Sequence, residues 1–211
     1  MLSPSSSTKA RPTILAAYTH YDQRLRFPYK LTGHAIVVPP NPAPGLPWLF
    51  QSDNPSRDAA LDFALLAQGY HVVYAPNAKL DGMVQQYWDD TYRLLTTNGF
   101  AAKPVLAASH ARAGEAYAWA IANPTKVASL YVRNPLLRSL MNKAPILDNL
   151  RPLAEAKVPI LHHCTAGHPW LESQSRPAEK IYRELQGKLR LLIEADSLSL
   201  APALSFLQAS R

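Results

Sequence analysis

The feature that most constrains this chain is a regular alternation of short, nearly continuous apolar runs with longer amphipathic stretches, repeated from about residue 33 to the C-terminus. GHAIVVPP (33–40), YHVVYAP (70–76), PVLAAS (104–109), KVASLYV (126–132), VPILHHC (158–164) and KLRLLIE (188–194) are short, apolar and mostly flanked by Pro or Gly, so each reads as a strand. Between the first two, RDAALDFALLAQG (57–69) places Ala60, Phe63, Ala64 and Ala67 at helical spacing and stops at Gly69. Further helices are expected at about 83–97, 113–122, 152–156, 177–185 and at the C-terminus. Strands without polar alternation are buried on both faces, so the pattern predicts an α/β fold: a mostly parallel sheet in a three-layer α/β/α sandwich, with crossover helices on both sides. The Pro- and Trp-rich stretch after the first run reads as a loop.

At 211 residues and 47% hydrophobic content, the chain can bury one sizeable core and needs no second domain. Residues 1–12 are assigned to a disordered tail and 13–211 to one domain. Ser3, Ser5, Ser6, Ser7, Thr8 and Lys9 leave residues 1–10 with hardly an apolar anchor, which predicts mobility there. The net charge of +7 raises the question of a nucleic-acid partner. Its distribution argues against one: Lys9, Arg11, Arg24, Arg26 and Lys30 face only Asp22 within residues 1–31, so this segment holds more than half of the excess. No basic-and-aromatic motif accompanies them, and the expectation is a basic tail without nucleic acid. Cys164, the single cysteine, excludes an internal disulfide, and no apolar run is long enough to span a membrane or serve as a signal core. The chain is expected to be cytoplasmic, with no membrane partner. Nothing in the sequence sets an oligomeric state.

Parallel sheets bind ligands beyond the carboxyl ends of their strands, which directs attention to the residues after Val38, Ala75, Ala108, Val132, Cys164 and Glu194. Ser109 and His110 follow one run. Ser109 suits a helix cap or a nucleophile, and His110 a solvent-facing loop residue or an acid-base group. His162, His163, Cys164 and His168 are zinc-ligand types, but strand alternation puts His162 and Cys164 on one face and His163 on the other. No metal and no cofactor are expected. Trp48 and Trp170 can plug the core or line the crevice.

The segments AIVVPPNPAPGLPWLF, ALLAQGYHVVYAP, KPVLAASHARAGEAYAWAIANPTKVASLYV and DNLRPLAEAKVPILHHC run in order from about His34 to Cys164. Together they resemble a bacterial α/β-hydrolase family of the esterase and prolyl-oligopeptidase-related branch. The resemblance implies the α/β-hydrolase fold and a serine hydrolase, with the nucleophile after PVLAAS, an acid after VPILHHC and a histidine after KLRLLIE. A small ester or a carbohydrate-like molecule would be the ligand.

The sequence departs from that pattern at all three places. Aligned without gaps, the G-x-S-x-G elbow falls on Ala108, Ser109, His110, Ala111 and Arg112, so His110 stands at the nucleophile position. The acid position falls on His168, and no histidine follows Glu194, where Asp196 and Ser199 stand instead. A one-residue slip would make Ser109 the nucleophile with small flanks Ala107 and Ala111. Without it, Arg112 takes a position that wants a small residue. The stretch between Val132 and the DNL segment is short for the family, implying a reduced cap. The expectation is a catalytically degenerate hydrolase-family protein, a binding or interaction module or a weak esterase. The alternative is an active ester or amide hydrolase in which Ser109 works with a relocated pair, His168 and Asp196.

Overall fold

The computed structural model describes residues 35–52, 60–74, 84–137 and 145–209. The expected tail, the mobility of residues 1–10 and a strand start at Gly33 lie outside them. Strands β1 (Ala35–Val37), β2 (Trp48–Gln51), β3 (His71–Tyr74), β4 (Val105–Ser109), β5 (Ser129–Arg133), β6 (Ile160–Thr165) and β7 (Leu189–Glu194) form one sheet in the order β1-β3-β2-β4-β5-β6-β7. All pairings among β2 to β7 are parallel, as the alternation predicts.

Two features correct the sequence reading. WLFQ in the Pro- and Trp-rich stretch is a strand, not a loop, and as β2 it lies between β3 and β4 with all four residues buried. Three apolar residues and Gln51 in a proline-rich stretch look like a loop until both neighbours are in place. The first run, β1, pairs antiparallel with β3, Ala35 opposite Tyr74. The residues after Val38 therefore leave at the amino edge of the parallel strands, away from the crevice.

Helices α1 (Ala60–Ala67) and α6 (Leu200–Ala209) cover one face, where Leu65, Leu66, Ala203 and Leu207 pack on Val72, Val105, Tyr131 and Leu161. Helices α2 (Val84–Thr97), α3 (Arg112–Ala122), α4 (Arg151–Glu155) and α5 (Arg176–Glu184) belong to the other. Trp88, Thr91 and Leu95 are buried at helical spacing on α2. Trp88 lies 4.3 Å from Phe50 and 5.8 Å from Trp119 between ring centroids, in tilted contact, so an aromatic cluster joins α2, β2 and α3. Gly69 ends the turn after α1 with φ of +85°, and an added Cβ there would come within 2.5 Å of the Ala43 nitrogen. Between β5 and β6 the described residues hold only a 3-10 turn (Ile146–Asn149) and α4, with no inserted cap.

Candidate functional site

The strand order reverses between β2 and β4, so the crevice of this sheet opens at the carboxyl end of β4. Ser109 is the last residue of that strand, and His110 follows with φ of +48°. The His110 N–H donates to the Arg133 carbonyl (3.0 Å), while its own carbonyl accepts from Leu136 (3.0 Å) and Ala113 (3.2 Å). The left-handed turn is therefore tied to β5, to the chain beyond it and to the start of α3. A non-glycine residue in this region costs roughly 1 kcal/mol or more, so the surrounding hydrogen bonds hold the strain in place.

His110 takes the left-handed position of the turn and is exposed to solvent. Ser109 stays in the pleat, in register with Arg133. Alternation places it with Val105 and Ala107, toward the face covered by α1 and α6. The turn tolerates Arg112 because its guanidinium swings aside to Glu115 at 3.0 Å. Ala111 precedes α3 and gives it no side-chain cap.

His168 and Trp170 face the elbow from the loop after β6. The His110 and His168 ring centroids are 5.5 Å apart, and Trp170 lies 5.0 Å from His168 and 6.1 Å from His110, edge-on to both. The Trp170 N–H donates to His168 Nδ1 (3.4 Å), which leaves the proton of the neutral imidazole on Nε2. Burial, then the nearby His110, lowers the pKa of His168. The half-buried Trp170 thus lines the crevice, while Trp48 is a core residue whose Nε1 donates to the Ala101 carbonyl (2.9 Å).

Ser199 joins a different group. Its N–H and its hydroxyl both donate to the Glu194 carboxylate, closing the turn between β7 and α6. Glu194 Oε2 lies 3.1 Å from His163 Nε2, at ion-pair distance but outside hydrogen-bond angles. The Tyr131 hydroxyl meets His163 Nδ1 at 3.2 Å. A polar line thus crosses β5, β6 and β7 on one face. The hydrogen bonds from Ser199 lower the pKa of Glu194, while burial lowers that of His163 and raises that of Tyr131 to about 12. Sequence reasoning missed Glu194 as a participant. The strand register carried the signal, since His163 and Glu194 sit one diagonal step apart on the same face.

Asp196 is exposed, and among the described residues no hydrogen bond joins Ser109, His168 and Asp196. His162 is fully buried against the Tyr117 hydroxyl at 2.6 Å, and Cys164 Sγ lies 3.3 Å from Ser175 Oγ. His162 and Cys164 share a face and His163 takes the other. Among the described residues no three His, Cys, Asp or Glu side chains converge as metal ligands. No described helix is long and apolar enough to cross a membrane.

No family model and no curated protein matches the sequence. Solved structures do resemble the chain. A candidate carboxylesterase from Lactobacillus plantarum WCFS1 gives a TM-score of 0.64 at 13% identity, over 84% of this chain and 92% of that one. A carboxylesterase structure from Nitrososphaera gargenis gives 0.58 at 12% identity, over 87% and 98%. A candidate dipeptidyl aminopeptidase IV from Bacteroides ovatus ATCC 8483 gives 0.62 at 11% identity over 84% of this chain, which spans only 32% of that longer chain. With the mostly parallel seven-stranded sheet, these likenesses establish the α/β-hydrolase fold.

Proposed function

We propose that this α/β-hydrolase-fold chain has given up serine hydrolysis and serves as a binding or interaction module, with at most weak esterase activity. One observation carries the reading: the left-handed turn after β4 presents His110, not a serine, to the crevice, while Ser109 remains in the strand. A hydroxyl attacks a carbonyl well only when a positioned base takes its proton and a carboxylate orients that base. Here His168 has its Nδ1 turned to the Trp170 backbone N–H, and among the described residues no hydrogen bond joins it to Asp196. The crevice suits a small ester or a carbohydrate-like ligand packed against Trp170 and the two imidazoles. A cytoplasmic setting accords with the single cysteine.

The opposing reading, an active ester or amide hydrolase through Ser109, His168 and Asp196, draws on one fact: His168 does stand at the elbow. A fluorophosphonate probe separates the two. The proposal expects folded protein to remain unlabelled at Ser109; stoichiometric labelling there supports the hydrolase.

A further inference from the structure

Strand β7 is the last in the sheet, and among the described residues nothing pairs with its outer edge. Its aliphatic side chains, Leu189, Leu191, Leu192 and Ile193, are all partly exposed, whereas β2 and β3 are buried throughout. Helix α5 packs on one face of β7, while α6 packs on β5 and β6. The Ile160 and Ala166 N–H groups donate to the Lys188 and Glu194 carbonyls, at 2.9 and 2.8 Å. Backbone polar groups alternate sides along a strand, so Lys188, Arg190, Leu192 and Glu194 turn theirs to β6, and Leu189, Leu191 and Ile193 turn theirs outward. An open aliphatic edge of this kind is a template for another strand.

We propose that this edge joins a second copy of the chain in a two-fold symmetric, antiparallel pairing of β7 with β7, so that two sheets become one continuous sheet. The strand's own sequence sets the register. With Leu192 on the two-fold axis, Leu191 meets the partner's Ile193 and Arg190 meets the partner's Glu194. Leu191 and Ile193 are residues whose backbone points outward, so they form the hydrogen-bonded pairs of the new ladder. An axis between residues would oppose an outward-facing residue to an inward-facing one, which cannot bond. An axis at Leu191 or Ile193 would set Arg190 or Glu194 opposite Leu192. Charges guard an edge strand when like faces like, but here the two-fold sets opposite charges face to face twice, on the side away from α5. This self-complementarity identifies the occupant as a second copy. The edge is separate from the elbow at β4, so the inference does not rest on the loss of serine chemistry.

The test is sedimentation equilibrium of the full chain from micromolar to near-millimolar concentration, with amide hydrogen exchange followed by NMR on the same samples. At the upper end the expected particle has twice the 23.3 kDa chain mass. The Leu191 and Ile193 amides should gain protection as it forms, while those of Arg190 and Leu192, turned to β6, are protected throughout. Arg190→Glu, at an exposed position, sets like charges opposite each other at both sites and should raise the dimer dissociation constant at least about tenfold. Glu194→Arg should repel itself in the same way, and mixing the two variants pairs opposite charges at both sites and should return a dimer. Glu194 also holds Ser199, so circular dichroism checks that fold; if Glu194→Arg does not fold, the Arg190→Glu and exchange results decide alone. A monomer at every concentration, an oligomer larger than a dimer, unchanged association of folded Arg190→Glu, no dimer from the mixed folded variants, or a dimer whose Leu191 and Ile193 amides gain no protection would each overturn the proposal.

Discussion

His110 and His168 stand with ring centroids 5.5 Å apart at the carboxyl edge of the sheet, on the two loops where the family that the sequence resembles carries a nucleophile and an acid. Two imidazoles cannot divide those roles as a serine and a carboxylate do. A serine needs a base, and the base needs an anion to hold it. The proposed loss of serine hydrolysis rests on this pairing.

The strain at His110 can be measured. With φ of +48°, this residue occupies a region where glycine carries no Cβ penalty. His110→Gly should therefore stabilise the protein by about 0.5 to 1 kcal/mol in urea unfolding, partly offset by the greater entropy of the unfolded glycine. A loss of more than about 1 kcal/mol would mean that the imidazole's contacts with His168 and Trp170 outweigh the strain.

Gly69 makes the opposite case. Its φ of +85° and the 2.5 Å approach of an added Cβ to the Ala43 backbone leave a side chain nowhere to go. Gly69→Ala should cost about 2 to 4 kcal/mol and lower the melting temperature, since the clash is with main chain. Near-neutral behaviour would show that the 43–47 loop yields easily and is not pinned.

Acid should destabilise the fold well before its carboxylates titrate. Burial lowers the pKa of His162 from 6.5 to about 3. The unfolded chain then binds this proton at a pH where the folded chain does not, so stability is full above about pH 6.5 and falls as pH drops toward 3. Between pH 7 and pH 5 this group alone should remove about 2 kcal/mol. His163 shifts the same way, and Glu194, whose pKa is lowered, adds a loss below its ordinary range. Tyr117→Phe, which strips the 2.6 Å partner from His162, should cost about 1 to 3 kcal/mol at pH 7. Unfolding free energies that stay flat from pH 7 to pH 5 would contradict the burial of a neutral His162.

Most of the architecture was legible in the sequence because strands buried on both faces announce themselves as apolar runs, and six of the seven did. β2 was hidden because WLFQ is short and flanked by prolines, and its strand character comes from β3 and β4 on either side. The direction of β1 was equally unreadable, since an apolar run has the same composition whichever way it points. At the site, local sequence placed Ser109 and His110 at the crevice but left the register of the turn open, because both residues suit a turn. In the structure, backbone hydrogen bonds between His110 and Arg133 and Leu136, remote in sequence, hold His110 in the left-handed conformation. The split of His162, Cys164 and His163 between faces followed from alternation alone, whereas the line from Tyr131 through His163 to Glu194 required the relative register of three strands.

Hydrolysis of a small activated ester by wild type and by Ser109→Ala tests the proposed loss of serine hydrolysis. The variant is expected to fall by no more than about a hundredfold, with the residual rate drawn from backbone N–H donors at the start of α3, whereas removing the nucleophile of an intact triad costs roughly a millionfold. Rapid, saturable turnover by wild type that both Ser109→Ala and His168→Ala abolish would instead show serine hydrolysis retained through a relocated triad.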